Sequence, residues 1–255
     1  MKLFYRQVGT TGQPLIILHG LFGTCDNWLS IGKVLSSDYQ VFMLDTRNHG
    51  QSPHSAIFDY QSMAADVMEF ITDHNIEQAI LIGHSMGGKV MMQFAMDYPD
   101  AFSKLVVVDI APKFYPVHHA MILQGLNSLD LQNLKSRQEA NGHLARFEEN
   151  EGVRQFLLKN LYRNTATGAF SWRINLPVIT QNISIIGDEP TNVHAINKPT
   201  IFIKGADSPY ILSEDERPIL EIFSNAEFIS IEGAGHWVQA DQPEVFVKTL
   251  KAFIA

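Results

Sequence analysis

Cysteine is nearly absent from this sequence, since Cys25 is the single one among 255 residues. One cysteine cannot form a disulfide within the chain, so the fold depends on its core, which suits a reducing compartment. Long apolar runs are also missing: no stretch approaches the roughly 20 apolar residues that cross a membrane. The first residues lack the apolar segment of a signal peptide. The sequence therefore predicts a cytoplasmic protein without a stable membrane anchor.

Basic residues are in the minority, with 19 Lys and Arg against 27 Asp and Glu, which gives a net charge of −8. Such an acidic balance is a poor match for nucleic acid or anionic lipid. No cluster of Cys and His has the spacing of a metal site, and no Gly-X-Gly-X-X-Gly indicates a nucleotide site. We therefore expect no metal, no cofactor and no nucleic-acid partner, and the composition leaves the oligomeric state open.

The most informative stretch is the pattern Gly-X-Ser-X-Gly at residues 83–87. An apolar, strand-like run precedes it at 79–82, and a helix-like run follows at 86–97. A strand that turns sharply into a helix around a serine is known as a nucleophile elbow. Its strained turn leaves no room for side chains, which explains the two glycines of the pattern. Ser85 is therefore the candidate nucleophile.

Apolar runs recur along the chain at intervals that predict the fold. The predicted strands are residues 3–8, 15–18, 40–44, 79–82, 104–108, 199–203 and 227–231. Helix-like segments alternate with them, and continuous apolar runs such as 15–18 are typical of strands buried on both faces. This alternation predicts an α/β fold, with a mostly parallel central sheet and helices on both faces.

The pattern changes between residues 112 and 195, where no buried-strand run recurs. The helix-like pieces in this part are residues 120–126, 133–143 and 153–161. We interpret residues 1–111 and 196–255 as the core domain and residues 112–195 as an inserted helical cap. His118 and His119 lie near the start of this cap; they could face a substrate, but we favour an exposed surface pair.

A second functional signal follows the last predicted strand, where His236 lies in the sequence Gly-Ala-Gly-His-Trp. A serine hydroxyl becomes a good nucleophile when a base removes its proton, and histidine, which titrates near neutrality, suits that role. A carboxylate then holds the imidazole in the correct tautomer. Two acids, Asp109 and Asp207, each follow a predicted strand between Ser85 and His236. The sequence thus offers a serine–acid–histidine set with two candidate acids.

Four motifs, in this order along the chain, resemble the alpha/beta-hydrolase superfamily. They are His-Gly-Leu-Phe-Gly at 19–23, Asp-Thr-Arg-Asn-His-Gly-Gln-Ser at 45–52, Gly-His-Ser-Met-Gly-Gly at 83–88 and Gly-Ala-Gly-His-Trp at 233–237. The subfamily motifs are Asn-His-Gly at 48–50, Val-Asp-Ile-Ala-Pro at 108–112 and Asp-Ser-Pro-Tyr at 207–210, which resemble the YbfF-type esterases and their animal relatives. The resemblance implies an alpha/beta-hydrolase fold with a helical cap, and an esterase or thioesterase activity on small molecules.

The resemblance also bears on the choice of acid. In many relatives the acid stands three residues after a glycine like Gly205, and this chain has Ser208 there, with Asp207 one residue early. The other position known in the superfamily is the end of the strand after the elbow helix, where Asp109 lies. We therefore predict Asp109 as the acid and keep Asp207 as the alternative.

The superfamily binds the negatively charged oxygen of its reaction intermediate in an oxyanion hole made of backbone N–H groups. By this resemblance we expect the N–H of Met86 and that of Leu21 or Phe22 to be the donors. Substrate-binding residues are harder to identify from the sequence. The aromatic candidates for lining an acyl pocket are Phe22, Trp28, Phe114, Tyr115, Trp172 and Trp237.

Three classes of function fit these residues. The first is a serine esterase or thioesterase that cleaves esters of small acyl groups through an acyl-enzyme. The second uses the same residues for carbon–carbon bond hydrolysis or a cofactor-free haloperoxidase reaction, and the third is a non-catalytic binder of small ligands. We favour the first, which the resemblance implies. The intact Ser85–His236 pair argues against the third, and the elbow does not distinguish the first from the second. Serine at position 85 also argues against dehalogenases and epoxide hydrolases, which use an aspartate there.

Overall fold

A seven-stranded sheet forms the centre of the structure, a computed structural model that describes residues 1–255. The strands of this sheet and of a separate hairpin are β1 (Tyr5–Val8), β2 (Pro14–Leu18), β3 (Gln40–Leu44), β4 (Ala79–His84), β5 (Phe102–Val108), β6 (Leu161–Arg163), β7 (Phe170–Trp172), β8 (Thr200–Gly205) and β9 (Ala226–Ile231). The order across the sheet is β1-β3-β2-β4-β5-β8-β9, and β1 alone runs antiparallel to its neighbour. The predicted α/β fold and its seven strands are confirmed.

Helices cover both faces of the sheet. They are α1 (Leu29–Leu35), α2 (Tyr60–Asp73), α3 (Met86–Asp97), α4 (Ala120–Asn127), α5 (Arg137–Leu144), α6 (Glu151–Leu158), α7 (Leu176–Gln181), α8 (Glu216–Ile222), α9 (Val238–Asp241) and α10 (Pro243–Ile254). Side chains alternate along a strand, so Ile16 and Leu18 of β2 join the core beneath α2 and α3, whereas Leu15 and Ile17 join the core beneath α1 and α10. None of these helices combines the length and the apolar character that crossing a membrane requires.

The chain leaves the sheet after β5 and returns to it at β8. Between them lie α4 to α7 and the antiparallel hairpin of β6 and β7. The expectation of a purely helical segment is therefore wrong in one respect. Each hairpin strand has only three residues, and the exposed Tyr162 and Arg163 leave no apolar run that would indicate a strand. Buried leucines of α4, α5 and α6 join the same core as α2 and α3, and the division into a core domain and a cap at 112–195 stays a prediction.

The loop that follows β3 is held by buried charged groups. Asp45 accepts hydrogen bonds from the backbone N–H groups of Cys25 (2.6 Å) and Gln51 (2.8 Å). Arg47 donates to both carboxylate oxygens of Asp66 on α2, at 2.7 and 2.9 Å. A guanidinium that contacts both oxygens of a carboxylate fixes direction as well as distance. These contacts hold the loop at the carboxyl edge of the sheet, where parallel strands of an α/β fold present their ligand sites.

Candidate active site

Ser85 occupies the tip of a sharp turn between β4 and α3. Its backbone has φ 53° and ψ −120°, a conformation that few non-glycine residues adopt, and strain of this kind gathers at functional sites. A Cβ atom added to Gly83 would overlap the backbone of Gly87, and one added to Gly87 would lie 2.6 Å from the carbonyl oxygen of His19. Glycine is therefore required at both positions, as the elbow pattern predicts.

Hydrogen bonds connect the Ser85 hydroxyl to a histidine and an aspartate from distant parts of the chain. His236 Nε2 lies 3.0 Å from Ser85 Oγ, and His236 Nδ1 lies 2.7 Å from Asp109 Oδ2. Asp109 is fully buried, whereas the side chain of His236 is 18% exposed and can reach a bound molecule. The structure thus brings together Ser85, His236 and Asp109, the first of the two candidate acids.

Asp207, the alternative acid, lies apart from this group. Its side chain is exposed and makes no hydrogen bond, and its backbone N–H donates to the carbonyl of Ala234 at 3.0 Å. Its neighbour Ser208 instead donates its hydroxyl to Asp109 Oδ2, while the backbone N–H of Gly205 donates to Asp109 Oδ1 at 3.1 Å. The hydrogen bond from Ser208 to Asp109 was not predicted. The sequence did hold a hint of it, because this chain has a serine at the position where many relatives have the acid.

Two further side chains fix the orientation of the His236 ring. His84 Nε2 donates to the backbone carbonyl of His236 at 2.8 Å, and the Tyr210 ring stacks on the His236 imidazole with centroids 4.0 Å apart. Full burial lowers the pKa of His84 to about 3, so this histidine is neutral and acts as a hydrogen-bond donor. His236 is therefore held at three points: its ring stacks on Tyr210, its backbone carbonyl accepts from His84, and its Nδ1 contacts the Asp109 carboxylate.

The backbone N–H groups of Leu21 and Met86 make no hydrogen bond within the chain, and both residues border the pocket beside Ser85. Unpaired backbone donors are uncommon, which makes two of them beside one serine informative. The N–H of Phe22, the other residue considered for this position, is already bonded to His49 Nε2 at 3.3 Å. Of the expected donors, the structure leaves Leu21 and Met86 free.

A pocket with an empty volume of about 410 Å³ opens beside Ser85. His118 and His119 both line it, with ring centroids 4.1 Å apart; His118 is exposed, as expected for a surface pair, and His119 is half-buried. Tyr115 is the one aromatic candidate among the lining residues, and Trp28 is instead packed against Phe246 in the core beneath α1 and α10. Eight of the fifteen lining residues belong to the chain segments 115–119 and 183–187.

Lys89, one turn after Ser85 on α3, fastens the far side of the pocket. Its ammonium group donates to the carbonyl oxygens of Lys113 (2.7 Å), Gly187 (3.0 Å) and Asp188, and lies 4.8 Å from the centre of the Tyr115 ring. Burial lowers the pKa of Lys89 to about 7, while the three carbonyls and the ring favour its charged form. This contact was not predictable from the sequence, because a helical lysine usually points to solvent.

The buried neutral histidines should make the free energy of unfolding depend on pH. Burial lowers the pKa values of His19 and His119 to about 4 and those of His49 and His84 to about 3, from 6.5. As the pH falls below 6.5 the unfolded chain therefore binds protons before the folded chain does, and the free energy of unfolding decreases. Each group contributes about 1.4 kcal/mol per pH unit well below 6.5. Urea unfolding followed by circular dichroism between about pH 7 and pH 5.5 should show the loss, before ordinary carboxylates titrate.

The exposed His194 offers the matched control, and His194→Gln should leave the pH dependence unchanged. The slope of the free energy against pH counts the protons taken up on unfolding, and it should approach four. A stability that stays flat over this pH range would contradict the assignment of four neutral histidine rings.

Similarity to known proteins agrees with this geometry. The sequence matches the family described as alpha/beta hydrolase fold over residues 13–243. It is 35% identical to Esterase YbfF of Escherichia coli over 100% of this chain and 99% of that protein. It is 38% identical to the sn-1-specific diacylglycerol lipase ABHD11 of Danio rerio over 94% of this chain and 78% of that protein. A solved "Marine microorganism esterase" is 43% identical, with a TM-score of 0.96 and 99% of each chain covered.

The chain belongs to the alpha/beta hydrolase family. Within that family it is an esterase-type hydrolase, similar to YbfF, so the resemblance predicted from the motifs is confirmed. More distant solved structures, such as an E-2-(acetamidomethylene)succinate hydrolase with 19% identity and a TM-score of 0.80, share the fold alone.

Proposed function

We propose that this chain is a serine esterase that cleaves esters of small acyl groups through a covalent acyl-enzyme. One observation carries the proposal: the His236 ring lies within hydrogen-bond distance of both the Ser85 hydroxyl and the Asp109 carboxylate. A nucleophile, a base and a group that orients the base are the parts that nucleophilic catalysis needs.

In the first half-reaction His236 Nε2 accepts the proton of Ser85 while Oγ attacks the ester carbonyl carbon. The carbonyl oxygen becomes an oxyanion, for which the free N–H groups of Leu21 and Met86 are the donors. The imidazolium then gives its proton to the leaving alcohol oxygen as the carbon–oxygen bond breaks. Asp109 stabilises the imidazolium throughout, and the acyl group stays on Ser85.

The second half-reaction repeats these steps with water. His236 accepts a proton from water while the water oxygen attacks the acyl carbon, and the same N–H donors stabilise the oxyanion. The proton then returns to Ser85 Oγ as the acid product leaves. A thioester follows the same course, with the sulfur of a thiol in place of the alcohol oxygen.

The pocket supports a small acyl group. The enclosed part of the cavity is only about 30 Å³, since the empty volume of about 410 Å³ includes space open to solvent, so the space beside Ser85 is narrow. Apolar side chains such as Ile110 and Ile186 share its wall with Lys89 and the ring of His119. A long acyl chain would have to leave this wall and extend into solvent, so we expect the chain-length optimum to be short.

The test is the hydrolysis of p-nitrophenyl esters whose acyl groups range from about two to about twelve carbons. We expect kcat/KM to be highest for the shortest members and to fall by about tenfold or more by the longest, because methylene groups outside the pocket gain no burial. Hydrolysis of the thioester of the preferred acyl group, measured under the same conditions, tests whether the chain is also a thioesterase.

Each of the other outcomes has a defined meaning. No turnover of any ester or thioester would reject the esterase proposal and favour carbon–carbon bond hydrolysis or a haloperoxidase reaction. Ligand binding without turnover would favour a binding protein. A maximum at long acyl chains would leave the serine chemistry in place and reject the small-acyl preference.

A further inference from the structure

Phe22 is one of the few non-glycine residues of this chain with a positive φ, at 61°. A residue with a Cβ in this left-handed region carries conformational strain, so its surroundings must hold it there. Phe22 directly follows Leu21, whose free N–H is a candidate oxyanion donor. The direction of the Leu21 N–H therefore depends on what holds the backbone of this loop.

The peptide group that carries the Leu21 N–H is fixed at its other end. Its carbonyl oxygen, that of Gly20, accepts hydrogen bonds from the backbone N–H of Gly23 (2.9 Å) and from His19 Nδ1 (2.8 Å). Hydrogen bonds to a carbonyl polarise the peptide group and strengthen the N–H as a donor. The oxygen is thus occupied while the N–H is left for another partner.

The next peptide group is held by His49, from the loop after β3. His49 Nδ1 lies 3.0 Å from the carbonyl oxygen of Arg47, an atom that can only accept, so the ring proton sits on Nδ1. The other nitrogen, Nε2, then accepts the N–H of Phe22 at 3.3 Å. Full burial lowers the pKa of His49 to about 3, which keeps the ring neutral and Nε2 free to accept.

The third peptide group is held from the cap segment. Asn160, between α6 and β6, donates its side-chain Nδ2 to the carbonyl oxygen of Phe22 at 2.7 Å. Asn160 is 1% exposed, and its Nδ2 also donates to the carbonyl oxygen of Leu157 at 3.2 Å, while its backbone carbonyl accepts the N–H of Arg173 at 2.9 Å. The strained Phe22 is therefore held on one side by the core and on the other by the cap.

We propose that His49 and Asn160 are positioning residues for ester hydrolysis, which hold the two peptide groups around Phe22 so that the Leu21 N–H points at the oxyanion. The inference rests on the proposed esterase function. His49 has a second effect: by accepting the Phe22 N–H it keeps this neighbouring donor paired and leaves the Leu21 N–H as the free one. Neither residue touches the reacting atoms, and both act through the backbone of residues 20–23.

The alternative is that both residues only stabilise the fold. A structural role would lower the unfolding temperature and the amount of folded protein, and the folded fraction would keep its kcat. A positioning role lowers kcat and leaves KM nearly unchanged, because the oxyanion exists only in the transition state and the intermediates. The two roles can therefore be separated by kinetics on the folded protein.

The variants change one hydrogen bond at a time. His49→Leu removes the acceptor, whereas His49→Gln can return an oxygen close to the position of Nε2. Asn160→Asp replaces the donor with an acceptor of the same shape. The matched controls are His74→Leu, at a half-buried ring stacked on Phe70 far from the site, and Asn127→Asp, at an exposed amide at the end of α4.

The measurements are kcat and KM for the preferred p-nitrophenyl ester and the inhibition constant of a trifluoromethyl ketone, which forms an oxyanion adduct with a serine. Loss of one oxyanion donor costs about 10²–10³ in kcat, so a misdirected donor should cost about 10–100-fold. We expect that loss in His49→Leu and Asn160→Asp, a weakening of ketone binding by a similar factor, and a KM within about twofold of the parent. His49→Gln should regain most of kcat.

Two results would overturn the proposal. In one, folded His49→Leu or Asn160→Asp keeps the kcat of the parent and its affinity for the ketone. In the other, the losses match those of the two controls. Failure of the proposed function looks different, because the parent would then not cleave esters or Ser85→Ala would be as active as the parent. If His49→Leu does not fold, Asn160→Asp decides the question.

Discussion

Replacement of Ser85 by alanine should abolish ester cleavage, with kcat/KM falling by on the order of 10⁵-fold or more. The loss is large because the acyl group no longer has an oxygen to which it can be attached. The free N–H donors and the pocket would still bind ester and leave a small residual rate above that in water. The measurement is p-nitrophenol release from a short-chain ester, corrected for spontaneous hydrolysis.

A surface serine supplies the control for this change. Ser224 is exposed and lies far from the elbow, so Ser224→Ala should keep the parent rate. The thermal unfolding of Ser85→Ala should remain cooperative, because the substitution removes only the hydrogen bond that the Ser85 hydroxyl donates to His236 Nε2 and leaves the packing of β4 and α3 intact. Ester hydrolysis at the parent rate in Ser85→Ala would rule out the elbow serine as the nucleophile.

Asp109→Asn should lower kcat by about 10⁴-fold, whereas Asp207→Asn should keep it within about twofold. The amide removes the negative charge that stabilises the imidazolium and no longer selects the tautomer in which Nδ1 of His236 carries the proton. Asp207 is exposed and contacts neither His236 nor Ser208 through its side chain, so its replacement leaves the site unchanged. Both variants are measured with the same ester as the parent.

A comparison of Asp109→Asn with Asp207→Asn identifies which aspartate is the acid. Asp109 accepts from Ser208 and Gly205 as well as from His236, so Asp109→Asn disturbs several hydrogen bonds, and its folded state should be checked by circular dichroism. A loss of activity in Asp207→Asn with full activity in Asp109→Asn would assign the acid to the position after β8. That result would require a rearrangement of the loop at 205–210.

The fold and the residues of the candidate site were predictable because short stretches of sequence indicate them. Strands of the sheet are continuous apolar runs, and the glycines at 83 and 87 report the tight backbone contacts of the elbow. The choice between two acids needed the resemblance, since the sequence between Ser85 and His236 offers both. The serine at 208 in the usual acid position was the informative residue, and the structure brings its hydroxyl to Asp109.

The remaining features of the site depend on contacts between distant segments, for which the sequence has no local signal. Lys89 belongs to a helix that would be assigned a polar outer face, yet three carbonyls from two segments surround its ammonium group. The hairpin of β6 and β7 is too short and too exposed to produce an alternating pattern. His49 and Asn160 are separated by 111 positions, and only the folded chain brings both to Phe22.

The hydrogen bond from Asn160 to the carbonyl of Phe22 has a consequence for engineering. Exchange of residues 112–195 for the corresponding segment of a relative is a direct route to a different range of acyl groups. In this chain the exchanged segment carries one of the two contacts that hold the strained loop beside the serine. A chimera that lacks a donor at position 160 would accept its new substrate and turn it over slowly, and restoring asparagine there would be the first correction to make.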